Sequence, residues 1–154
     1  MPVAALAIVN PSPLGLGATD VLGSDDRVTV EAAAGLGSSL DPLPEGDVVD
    51  LEIDDFLKRS KADPMLSQRS VRLSGFVRIR RTGGYDVARF KVFCCAADPV
   101  LMGVRIQNGP TDPVKGTWVE VTGRFVPGDA YPPVLDVEDW QEVAEPSDPY
   151  LHFP

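Results

Sequence analysis

The sequence predicts a mainly β domain, a small five- to six-stranded OB-like partly open barrel with one short helix. Two observations predict it. Apolar and polar residues alternate over residues 71–81 and 117–126, the period-two signature of strands. The 15 prolines and 14 glycines fall between apolar runs, where they punctuate turns. A small sandwich of the same strands is the other arrangement open to this pattern. A chain of 154 residues makes one domain of ordinary size and buries a core without disulfide staples.

The elements follow in order. Residues 1–18 hold an apolar run, PVAALAIV, far shorter than the ~20 residues of a spanning helix and without a basic lead. Residues 19–46 are rich in Gly, Ser, Ala and Asp and read as a linker, with at most a short strand at 28–31. The β domain is expected over 47–145, and 146–154 reads as a C-terminal tail. Residues 47–53 supply a first strand. Asp54 or Asp55 then caps a short helix over 55–61, with Ile53, Phe56 and Leu57 on its apolar side. Pro64 ends it, because proline disfavours helical geometry at the residue before it.

The main strands come next. In 71–81, Val71, Leu73, Gly75, Val77 and Ile79 share the core face, while Arg72, Ser74, Phe76, Arg78 and Arg80 share the other. Gly75 marks a bend. Thr82-Gly83-Gly84 is a hairpin turn. Strands follow over 87–96, over 100–106 (ending at Asn108-Gly109-Pro110), over 117–126 with Val119, Val121, Gly123 and Phe125 inward, and over 134–143.

Charge limits the partners. The net charge is −9 and the pI about 4.5, against general nucleic-acid binding and against adsorption to anionic lipid. The distribution is uneven: residues 69–105 hold eight bases and two acids, whereas 20–63 hold twelve acids and four bases. Two readings fit. Arg72, Phe76, Arg78 and Arg80 form an anion-binding or single-strand-binding face, or these arginines pair with Glu120, Asp136 or Glu138 on neighbouring strands.

The distinctive chemistry lies at 90–98, FKVFCCAAD. Regular alternation puts Cys94 with Phe90 and Val92 on the buried side, and Cys95 with Lys91 and Phe93 on the side also offered to Arg89. Adjacent Cα atoms sit ~3.8 Å apart, closer than the ~4.4 Å lower bound of ordinary disulfides, so a vicinal bridge is strained and easily reduced. Cys94 suits a small core residue. Cys95, beside Lys91 and Arg89, suits a thiolate that with Asp98 binds a soft metal ion (Zn or Cu) or a partner. Redox switching through the pair is a third reading. Zinc-finger spacing is absent, and His152 is the only histidine available to add a ligand. No base stands beside either thiol in the sequence, and no glycine-rich phosphate loop occurs, so no enzymatic activity is expected.

The order VRLSGFV (71–77), FCCAAD (93–98), TWVEVTG (117–123), PVLDV (133–137) and PSDPY (146–150) resembles the C-terminal domain of the YcgQ-like family of bacterial membrane proteins. Members are described as subunits of a two-component permease. The resemblance spans about 45–150. It implies preceding membrane helices, of which residues 1–18 look like the trailing part of the last. It also implies a domain at the extracytoplasmic face of the plasma membrane, a permease partner, and handling of metal ions or small solutes. Cys94, Cys95 and Asp98 are the site residues carried over with it.

Overall fold

The computed structural model describes residues 40–92 and 99–152. It is a single seven-stranded sheet curled into a partly closed ring, with one α-helix. The strands are β1 (Val48–Asp50), β2 (Ser70–Ile79), β3 (Tyr85–Val92), β4 (Pro99–Gln107), β5 (Trp118–Val126), β6 (Val134–Glu142) and β7 (Tyr150–Leu151). The helix α1 (Ile53–Ala62) follows β1, and a 3-10 turn (Leu66–Gln68) leads into β2.

Five strands make the ring, in the cyclic order β2-β5-β6-β4-β3 and back to β2. Two seams are short. β2 and β3 share only the pairs from Phe76–Ala88 to Ile79–Tyr85, and β4 and β6 meet in parallel from Arg105–Val134 to Gln107–Asp136. The first half of β2 turns away from β3 to pair with β5. Gly75 sits at that turn, where a Cβ would lie 2.6 Å from the Ala88 carbonyl oxygen. The space between the separating strands is bordered by the two short extra strands, both parallel: β1 on β2 and β7 on β3.

Alternation sorts the side chains. The ring interior holds Val71, Leu73 and Val77 of β2, Val87 of β3, Met102 and Val104 of β4, Val119 and Val121 of β5, and Leu135 of β6, all within 1 % of full burial. The helix adds Ile53, Phe56 and Leu57, and Phe56 packs edge-on against Phe125 at 5.8 Å. Each such buried side chain contributes ~1.5–3 kcal/mol. A bulge lets β6 turn inward twice: the register jumps between Thr122 and Gly123, so Val137 and Trp140 both reach the interior. A second cluster lies on the opposite faces, formed by Phe76, Ala88, Phe90, Leu101 and Trp118 and flanked by Val143 and Tyr150.

Several expectations need correction. The helix starts at Ile53, and its N-cap is Glu52 without a side-chain cap bond, while Asp54 and Asp55 lie in the first turn. Ile79 is 45 % exposed, because it ends β2 at the hairpin, beyond the stretch covered by β5. Phe90 is buried in the outer cluster, whereas Val87, Arg89 and Lys91 share the interior side of β3. Both sides of β3 are therefore covered, and parity alone cannot tell core from surface there. Beyond the five or six strands expected, Tyr150 and Leu151, in the segment read as a tail, form β7 and pair with Phe90 and Lys91. The 1–18 segment and the short strand at 28–31 lie outside the described residues.

Candidate functional site

Cys94, Cys95 and Asp98 lie outside the described residues. Their two anchors do not: Val92 and Pro99 are register partners at the end of the β3–β4 ladder. The surroundings of those anchors are charged and buried. Lys91, 4 % exposed, donates to Asp54 Oδ2 at 2.5 Å, and Lys58 approaches the same oxygen at 3.6 Å. Asp54 sits in the first turn of α1, where the helix dipole favours a carboxylate. Arg89, 8 % exposed, donates to Glu52 Oε2 at 2.8 Å and to the carbonyls of Asp148, Pro149 and Tyr150 at 3.1–3.2 Å. Its guanidinium also lies 5.7 Å from the Trp118 ring centre. Lys91 and Arg89, expected to lend charge to Cys95, are thus each already matched by a carboxylate.

Arg89 has a positioning effect. By clasping three carbonyls of residues 148–150 it ties the C-terminal segment to β3. The parallel register, Phe90 with Tyr150 and Lys91 with Leu151, carries the chain on to His152 at the β3 end. There His152 Nε2 bonds Asp148 Oδ2 at 2.8 Å. The backbone N–H of Tyr150, and then His152, hold the Asp148 carboxyl below its ordinary value. Among the described residues no three metal-ligating side chains gather.

The arginines of β2 separate at the Gly75 bend. Arg72 pairs with Asp50 at 3.1 Å and Glu120 at 3.5 Å, bordering a shallow groove of about 220 Å³ with Ser74 and Arg89. Phe76, 7 % exposed, packs against Phe90 and Trp118 with ring centres 5.6 and 5.9 Å away. Arg78 and Arg80 both reach Asp86, at 2.9 and 3.4 Å. Asp86 is fully buried, and that burial pushes its carboxyl above the ordinary range although Arg80 and Arg78 pull the other way. Of the acids named as partners from the sequence, Glu120 meets Arg72, while Glu138 meets Arg124 and Ser70.

Sequence reasoning missed Asp86, Arg105, Glu52 and the role of Lys91. The Val104-Arg105-Ile106 alternation was a usable signal for Arg105, since it turns that guanidinium away from the core. Glu52 and Asp54 carried none, because their partners lie 37 positions away.

No helix among the described residues is long and apolar enough to cross a membrane. Residues 62–153 match the family described as DUF1980 C-terminal domain. No curated protein matches the chain.

Proposed function

This chain belongs to the DUF1980 C-terminal domain family, and we propose that it is a non-enzymatic accessory domain of a membrane transport system. In this reading it works outside the cytoplasm, against a permease partner, and Cys94, Cys95 and Asp98 make a soft-metal or partner contact. The membrane assignment and the permease rest on the resemblance to YcgQ-like proteins. One structural observation supports the contact: the parallel register of β7 on β3. It brings Asp148 and His152, the single histidine, to the strand end from which the 93–98 segment departs. Thiolate, imidazole and carboxylate together suit Zn²⁺, and the thiols alone suit Cu(I).

Calorimetric titration of the purified chain with Zn²⁺, then with Cu(I) under reducing conditions, tests the contact. Binding is expected at roughly micromolar, about 8 kcal/mol, weaker than closed structural zinc sites. Cys94→Ser with Cys95→Ser should abolish it. His152→Asn should weaken Zn²⁺ by about tenfold while sparing Cu(I). Absence of heat with both ions, together with unchanged capture of the membrane partner by the double Cys→Ser variant, would remove the site.

A further inference from the structure

We propose that Asn108 is a self-modifying site, whose conversion to aspartate or isoaspartate loosens the ring at its parallel β4–β6 seam. The inference does not rest on the thiol contact. Asn108 follows the end of β4, is exposed, and stands with φ 59° in the left-handed region that asparagine tolerates. Gly109 comes next, and packing requires glycine there: a Cβ would collide with the Tyr85 hydroxyl oxygen and lie 2.8 Å from Ile106 Cγ2. With no β-carbon on Gly109, nothing of its own shields its backbone nitrogen from the Asn108 side chain. The chain's other asparagine, Asn10, precedes Pro11, whose nitrogen has no proton to give up.

The reaction needs only water. The Gly109 nitrogen attacks Asn108 Cγ, and its proton leaves with the side-chain amide as ammonia, closing a cyclic imide. Water then opens the ring at either carbonyl, giving aspartate or the isomer whose backbone runs through the side chain. A hydrogen bond holds the amide back: Asn108 Nδ2 donates to Asp136 Oδ1 at 2.7 Å. The same contact is where the change is felt. After conversion two carboxylates face each other at neutral pH, a repulsion in place of a charge-assisted bond. Asp136 is the last register partner of β4 in a seam of three pairs, Arg105–Val134, Ile106–Leu135 and Gln107–Asp136. It is held from behind, because Gly123 of β5 packs so closely on its backbone that a Cβ would overlap the Asp136 carbonyl oxygen. Arg124, its register partner on β5, is paired with Glu138. The seam therefore opens from the β4 end.

The test is incubation of the full chain at mildly alkaline pH in heavy-oxygen water, followed by peptide mapping. Conversion is expected at Asn108, with the label incorporated there and both isomers present, while Asn10 keeps its amide. Asp136→Ala frees the amide and should speed conversion by about tenfold, the factor carried by one hydrogen bond to a charged group. Asn108→Asp, which installs the product, should unfold at lower urea than Asn108→Gly, which loses the same hydrogen bond without adding charge and accepts the positive φ. The parent's conversion and this pair of midpoints need no Asp136 variant, should that chain fail to fold. A native chain that keeps its amide while the same chain unfolded in urea converts would overturn the site. Equal midpoints for the two Asn108 variants would overturn its effect on the seam.

Discussion

Two groups of arginine and lysine residues lie on β3 and its neighbours, and they differ in how their charge is met. At the end of β3, Lys91 and Arg89 each have a carboxylate from the start of α1, with backbone carbonyls completing Arg89. On the outer face, Arg78 and Arg80 share the Asp86 carboxylate, and Arg105, the register partner of Asp86, donates to the Tyr131 carbonyl. The first group ties helix, strand and C-terminal segment into one unit. The second group links neighbouring strands: Arg78 and Arg80 share Asp86 across the β2–β3 hairpin, and Arg105 reaches the Tyr131 carbonyl. A buried ion pair with both partners present is an architectural joint.

The largest way to break this contrast is Asp54→Ala. It removes the carboxylate that faces the buried ammonium of Lys91 at 2.5 Å, and urea unfolding should show a loss of about 3–5 kcal/mol. The double variant Asp54→Leu with Lys91→Met should recover most of that loss, because neither charge is then buried. Next is Gly75→Ala. The new methyl would meet the Ala88 carbonyl oxygen at 2.6 Å and Val87 Cγ1 at 2.9 Å. Backbone cannot yield as a flexible side chain can, so a loss of about 1–3 kcal/mol is expected by thermal unfolding. Both groups of cations depend on this bend, since it lets β2 leave β3 and opens room for β7.

How much of this was readable beforehand depends on range. The bend at Gly75, the Gly83-Gly84 hairpin and the inward row Val119, Val121, Phe125 are short-range patterns, and they appear in the sequence as they do in the fold. The two-residue β7 left no periodic trace, because its pairing depends on Arg89 and not on alternation. Parity expected Phe90 to be buried, as it is, but gave no sign that Arg89 and Lys91 on the other side are buried too, because β3 is covered on both faces. The arginine face was seen in part. Arg78 stands in β2 and Arg80 follows it, but Asp86 and Arg105 arrive from β3 and β4 through register. For Cys94, Cys95 and Asp98 the pattern alone speaks.

Smaller effects sharpen the contrast. The Asp86 carboxyl is raised above its ordinary value, so the folded state binds its proton more tightly than the unfolded chain. Its contribution is therefore fullest below the unfolded value of ~3.9 and is lost as pH rises through the raised folded value. Asp86→Asn, a permanently neutral substitute, should gain on the parent chain over that interval when melting temperatures are compared. A difference that is flat or moves the other way would show the carboxylate to be stabilised by its arginines. Smallest of all is Arg124→Gln. The pair with Glu138 is largely exposed, and its removal should shift stability by no more than about 0.5 kcal/mol.

The most direct comparison places one substitution in each group and measures both by urea unfolding at neutral pH. Lys91→Met leaves Asp54 in a buried setting with only the more distant Lys58, and a loss of about 3 kcal/mol or more is expected. Arg105→Met removes one hydrogen bond to the Tyr131 carbonyl together with an unsatisfied buried donor, and should leave stability within about 0.5 kcal/mol. Equal losses from the two would contradict the division between a buried charge joint and a cation held only by a backbone carbonyl.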